Sequence, residues 1–264
     1  TSFVSKRVMP QFRDSDIILQ NANKVSHLTP YVLVPNLKGA KIALQCNAKN
    51  INFVISASEE HNKANVNLSI SESLENIKKF LSILRNEMKR KDVNTSVTIA
   101  TSFGCSIKGE VVIAEVMKIV ENLIELKVDE IGIADTVGYA NPKHVKELLK
   151  EVNLVNKIIP ITAHFHDTRG MGMINILASI DCGIRRFDTS VQGLGGCPFA
   201  PGASGNVVTE DCIFFLEEIG FDTSIDLKKI YELSLKVKEW LPNEVFFGKI
   251  SISGFPNKKS YKYL

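Results

Sequence analysis

Six short runs rich in β-branched and aliphatic residues recur along the chain: YVLV (31–34), INFVISA (51–57), SVTIAT (96–101), EIGIA (130–134), PITAHFH (160–166) and RRFDTSV (185–191). Each leads into a polar or glycine-containing turn and then into a segment of helical hydrophobic period. This beat constrains the fold more than any other feature, because strands that alternate with helices build a parallel sheet covered by helices. Strand starts are spaced by about 20–45 residues with no composition break between them, so residues 1–264 are expected to form a single α/β domain. The helical segments carry their own signals. Over 72–90, Leu74, Ile77, Leu81 and Leu84 fall at i, i+3, i+7 and i+10, one buried face, and Ser69 with Glu72 reads as the capping box of that helix. Over 110–126 the same face is drawn by Val112, Val116, Ile119, Leu123 and Leu126.

Composition narrows the classes of function. With 264 residues, 44% of them hydrophobic, the chain can bury a core without disulfide staples. The net charge is +3 and the basic residues are scattered, which gives no support to nucleic-acid or membrane-surface binding. Five cysteines (Cys46, Cys105, Cys182, Cys197 and Cys212) form no close pairs, a usage suited to a reducing interior. No apolar run approaches the roughly 18–20 residues of a membrane span, and no signal-peptide pattern is present. The first residue is Thr1 rather than Met, and the expectation is that a native start lies upstream.

Three strand ends carry a related signature: IADTVG (133–138), FHDTRG (165–170) and RFDTSVQG (186–193). An Asp-Thr just before a helix serves as a cap; repeated in successive units it reads as the quasi-repeat of a (β/α) barrel, whose chemistry sits at the carboxyl ends of the strands. The lack of a Gly-rich phosphate fingerprint after the first strand weighs against an open doubly wound sheet. In AHFHDT (163–168), His164 and His166 are two apart on a strand and share a face. Two neutral imidazoles make half a metal site that oxygen ligands would complete; a hydrogen-bonded pair closing the barrel top is the equal alternative. His27, His61 and His144 stand singly among polar residues and are expected at the surface. The stretch GGCPFAPGASGN (195–206) holds Cys197 in a small-residue loop at the barrel mouth, where glycine lets backbone approach a ligand. Asn206 reads either as an N-cap of the next helix or as a hard-cation ligand.

With these motifs together, the chain resembles the 3-hydroxy-3-methylglutaryl-CoA lyases, within the metal-dependent barrel lyases and Claisen-type synthases. The resemblance runs through TSFVS, VPNLKG, SASEEHNKANVNLSISESLE, IADTVGYANP, HFHDTRGMG and VQGLGGCPFAPGASGNVVTED. The histidine motif is shared with condensing relatives, whereas the Gly-Gly-Cys-Pro loop with its following Gly-Asn is particular to the lyases. By matching position, the resemblance implies that His164, His166 and Asn206 hold a divalent cation, Mg²⁺ or Mn²⁺, and that Cys197 is the general acid/base. It makes Asp135 an active-site acid, with helix capping as its alternative, and counts His164 with the catalytic groups. The implied reaction cleaves an acyl-CoA, 3-hydroxy-3-methylglutaryl-CoA, to acetyl-CoA and acetoacetate, a step of leucine degradation. A homodimer is left open by the resemblance. The implied compartment is the bacterial cytoplasm, or the mitochondrial matrix for a eukaryotic source.

The sequence also departs from the family pattern. A first strand ending in Pro-Arg-Asp-Gly-Leu-Gln, with a metal-binding Asp and an enolate-stabilising Arg, is absent, as is a Glu just before Thr-Ser-Phe-Val-Ser. Thr1–Ser5 corresponds to the tail of the second strand. The expected fold is therefore an incomplete (β/α)8 TIM barrel in which strands 3–8 are present. Residues 1–264 alone are expected to lack turnover and, with two strand edges open, to be poorly stable or to aggregate. Three rivals remain. A condensing acyltransferase of the isopropylmalate or homocitrate synthase type lacks the Cys197 loop. A biotin-dependent carboxyltransferase barrel needs an interior lysine that no strand here offers, and an inactive barrel scaffold has no reason to keep the metal residues.

Overall fold

The computed structural model describes residues 1–196 and 205–256. After α1 (Ser15–Ala22), strands and helices alternate: β1 (Tyr31–Val34), α2 (Leu37–Gln45), β2 (Asn50–Ser56), α3 (Glu59–Val66), α4 (Ile70–Ser82), β3 (Asn94–Ala100), α5 (Ile113–Leu126), β4 (Glu130–Asp135), α6 (Pro142–Val155), β5 (Ile161–Phe165), α7 (Gly172–Asp181), β6 (Arg186–Asp188), α8 (Thr209–Glu218), α9 (Leu227–Trp240) and α10 (Ile250–Ser253). The six strands pair in chain order, all in parallel. This is the expected open part of a (β/α)8 barrel. All six strands fall within a residue or two of their sequence reading, except that β6 stops at Asp188. At the β1 edge only a stub is added, through an isolated bridge of Ser2 with Leu33 and a bond from the Phe3 amide to the Leu33 carbonyl at 2.8 Å.

Local chemistry explains the helices. Ser69 and Glu72 form the capping box read from sequence, with Ser69 Oγ accepting from the Glu72 amide at 3.1 Å and Glu72 Oε2 from the Ser69 amide at 2.7 Å. The α-helix then ends at Ser82 rather than continuing to 90; a single wide turn, Ile83–Glu87, follows, and Lys89 takes a left-handed φ of 50°. In α5, Val116, Ile119 and Leu123 are buried as expected, but Val112 precedes the first turn and is exposed. Among the described residues, no helix is long and apolar enough to cross a membrane.

The pleat separates two faces. Val32, Ile51, Ile55, Val97, Ile99 and Ile131 point outward against the helices and are 0% exposed. Register places Leu33, Asn52, Ser96 and Glu130 opposite one another on the inner face. That face continues through Thr162 and Arg186. Inner polar groups satisfy one another across strands: Ser96 Oγ and Thr98 Oγ1 each donate to Asn52 Oδ1 at 3.1 Å. Lower down, Thr162 Oγ1 donates to Glu130 Oε1 at 2.6 Å and the Arg186 guanidinium to Glu130 Oε2 at 2.8 Å.

Candidate metal centre at the strand ends

His164 stands on β5 opposite Ala134 of β4 and Asp188 of β6, so it faces inward, and His166 follows two residues later. Their ring centroids are 5.2 Å apart. His166 is 6% exposed, and its Nδ1 is buried with no hydrogen-bond partner among the described residues. Burial, followed by the neighbouring His164, lowers its pKa to about 4, which keeps the ring neutral and its nitrogen lone pair available. A buried imidazole without a partner is costly in a closed structure and is what a cation ligand requires before the ion binds.

Asn206 meets this pair through the backbone. It forms an isolated bridge with His166, and the next amide, Val207 N, donates to Phe165 O at 3.2 Å. Helix α8 begins only at Thr209, with Val208 in the capping position, so Asn206 does not cap it. Its side-chain amide nitrogen donates to Leu194 O at 2.8 Å, which leaves the amide oxygen available as an acceptor. The base of the loop is pinned on both sides. The Asn206 amide donates to Gly193 O at 3.2 Å, and a Cβ at Gly205 would lie 2.1 Å from that same oxygen. Only glycine permits the crossing. Gln192, fully buried at φ 60°, anchors the near side by donating from Nε2 to Ser234 O at 3.0 Å and accepting from Ser251 Oγ at 3.2 Å. Cys197 lies outside the described residues.

Asp135, at the end of β4, is 1% exposed. Its two oxygens accept the amides of Tyr139 at 2.9 Å and Ala140 at 3.0 Å, so the carboxylate holds the turn after the strand. Burial raises its pKa to about 6, against the pull of the turn amides and of His164. Asp167 does the same for the next unit, accepting the Gly172 amide at 2.7 Å.

Two features at this end of the sheet were not read from sequence. His61 was expected at the surface, but it is 1% exposed, with Nδ1 2.8 Å from Ser56 Oγ. Its flanking Glu59, Glu60, Asn62 and Lys63 disguise a ring that α3 packs against the end of β2, and burial lowers its pKa. Of the other two, His27 is exposed, and His144 is half-buried with its ring edge-on to Phe103 at 5.2 Å. The second feature is Asp188, whose Oδ2 lies 3.4 Å from His164 Nδ1. A cavity of about 390 Å³ is lined by His61, Asn65, Thr98, His164, His166 and Asp188. A larger cleft of about 890 Å³, lined by Phe103, Tyr139, Lys143, His144 and Arg169, does not include the histidine pair.

Two imidazoles and an amide oxygen are three neutral donors. Among the described residues no group of three or more His, Cys, Asp or Glu is placed to hold a metal ion by itself, so these donors fit only part of a coordination shell.

Comparison with known proteins bears on the same stretch. Residues 9–237 match the HMGL-like family model. A hydroxymethylglutaryl-CoA lyase of Bacillus subtilis is 36% identical over 239 residues, 90% of this chain and 79% of that protein. The mitochondrial hydroxymethylglutaryl-CoA lyase of Gallus gallus is 36% identical over 88% of this chain and 76% of its own. Among solved structures, an HMG-CoA lyase from Acinetobacter baumannii, in complex with coenzyme A and 3-methylmalate, aligns with a TM-score of 0.90 at 38% identity. That alignment covers 98% of this chain and 83% of that one.

Proposed function

The chain belongs to the HMGL-like family, alongside the hydroxymethylglutaryl-CoA lyases, and from that premise we propose that its inner-face site cleaves 3-hydroxy-3-methylglutaryl-CoA to acetyl-CoA and acetoacetate. The observation that carries this reading is the convergence of His164, the unpartnered His166 and Asn206 at one end of the sheet. A divalent cation, Mg²⁺ or Mn²⁺, supplies Lewis-acid polarisation of the substrate oxygens when bound. His164, His166 and Asn206 would hold it. In the cleavage, the C3 hydroxyl gives up its proton, the C2–C3 bond breaks, and C3 becomes the ketone of acetoacetate. The electron pair leaves on the acetyl-CoA side as an enolate, whose carbon then takes a proton. Cys197 is the group proposed to deliver it, since a thiol of ordinary pKa ~8.5 can give and recover a proton near neutrality.

The pinned base supports this role: Gln192, Gly193, Gly205 and Asn206 fix where the cysteine loop leaves and rejoins the site. The family resemblance gives Asp135 an active-site role, and its two turn amides support its acting through the β4 turn. The proposed ligand is the acyl-CoA, the proposed assembly a homodimer, and the proposed setting leucine degradation in a bacterial cytoplasm or mitochondrial matrix.

No Arg-Asp-Gly-Leu-Gln motif occurs in the 264 residues, so binding rather than turnover is the readout to ask of them. Calorimetry should show HMG-CoA binding that Mn²⁺ strengthens and that chelation or His166→Ala removes. A 2-oxo acid should not displace HMG-CoA from the site. Binding indifferent to both Mn²⁺ and His166→Ala would overturn the reading, and displacement by the 2-oxo acid would transfer it to the synthases.

A further inference from the structure

The Asp-Thr pair occurs three times, and pleat parity separates the third from the other two. Asp135 is in register with Phe165, on the outer face, and Asp167 follows Phe165 by two. Both carboxylates turn outward onto backbone amides of their own turns. Asp188 is in register with His164, on the inner face, and accepts no turn amide among the described residues. Its Oδ2 instead stands 3.4 Å from His164 Nδ1, with side-chain exposures of 54% and 26%. The nearest cation on the same strand does not compete for it, because the Arg186 guanidinium is engaged by Glu130 at 2.8 Å. Among the described residues, His164 is the only ion-pair partner of Asp188.

A ligating imidazole uses one ring nitrogen for the metal and needs an acceptor at the other, which fixes the tautomer and raises the basicity of the ligand atom. Building on the metal reading above, we infer that Asp188 is a positioning residue: it accepts from Nδ1–H of His164 and so presents Nε2 of that ring to a divalent cation. The 3.4 Å separation is long for a full hydrogen bond. A half-exposed carboxylate has the freedom to close it. His166 Nδ1, by contrast, has no acceptor among the described residues, so the two histidines are not equivalent: one is oriented by a carboxylate and the other by burial.

The test uses Asp188→Ala and Asp188→Asn in the full chain, with Mn²⁺ affinity read from the free-ion EPR signal. ¹⁵N NMR of the His164 ring reads the tautomer without metal. Asp188→Ala is expected to weaken Mn²⁺ about 10–100-fold, the usual cost of losing such a partner. Asp188→Asn can turn its NH2 toward an unprotonated Nδ1 and favour the other tautomer, so it should weaken Mn²⁺ as Asp188→Ala does. The Nδ1–H signature should be clear in the parent and mixed or reversed in both variants. Thermal melts should match for all three proteins, because the side chain is half exposed. Mn²⁺ binding by Asp188→Ala within threefold of the parent overturns the inference. So does a metal-free His164 tautomer unchanged in Asp188→Ala, which would make the carboxylate a direct ligand. A parent that binds no Mn²⁺ overturns the metal reading instead, and the tautomer measurement still decides whether Asp188 orients His164.

Discussion

The two faces of the sheet divide stability from chemistry. Outward, Ile51, Ile55, Val97, Ile99 and Ile131 are fully buried beneath helices, each worth on the order of 1.5–3 kcal/mol of apolar transfer. Inward, β2 to β6 carry Asn52, Ser96, Thr98, Glu130, Thr162, His164 and Asp188, linked across neighbouring strands by side-chain hydrogen bonds and an ion pair. Parallel barrels commonly fill the interior with branched aliphatics. Here the inner layer carries polar groups at most positions, with Leu33, Val54, Ala100 and Ala134 between them, so the outer layer supplies most of the core. Runs such as SVTIAT read as uniformly β-forming, yet every second residue belongs to a different task.

The comparison makes graded predictions. Phe53→Ala should cost about 3–5 kcal/mol in denaturant unfolding, because Phe53 is 2% exposed and its ring packs 5.3 Å from that of Phe80. A loss below about 1 kcal/mol would break the claim that the outer face carries stability. The inner face should resist added bulk where strands touch. A Cβ at Gly132 would lie 2.6 Å from Thr98 Oγ1 and 3.1 Å from its Cα, so Gly132→Ala should cost about 1–3 kcal/mol by the same assay, and a neutral result would mean the inner layer is looser than described.

The smallest effect concerns the rim. His61 has its pKa lowered by burial, so the unfolded chain takes up a proton that the native ring refuses. The stability that wild type holds over His61→Gln should be full above the unfolded histidine value of about 6.5 and shrink as pH falls below it. A difference independent of pH between 7 and 5 would show that the ring is not buried.

Much of this was legible in the residues because it is local. Strand positions follow from β-branched runs, and the Ser69–Glu72 box needs only its own turn. Face assignment was not local. That Asp188 faces inward while Asp135 faces outward depends on register with β5, which no single strand reveals. His61 was misread for the same reason, since its polar neighbours in sequence say nothing of Ser56 Oγ beside its ring. Asn206 reads equally as a cap or as a cation ligand until the start of α8 at Thr209 and the bridge to His166 are known. The proposed metal donors are legible as residue types, and their convergence comes from the fold.

The central claim is that the inner face at the strand ends is a cation site. ¹⁵N-histidine NMR of the chain titrated with sub-stoichiometric Mn²⁺ tests it most directly. Paramagnetic broadening should strike the His164 and His166 rings first and leave exposed His27 sharp. Broadening that spares the pair, or spreads evenly over all five histidines, would contradict the account.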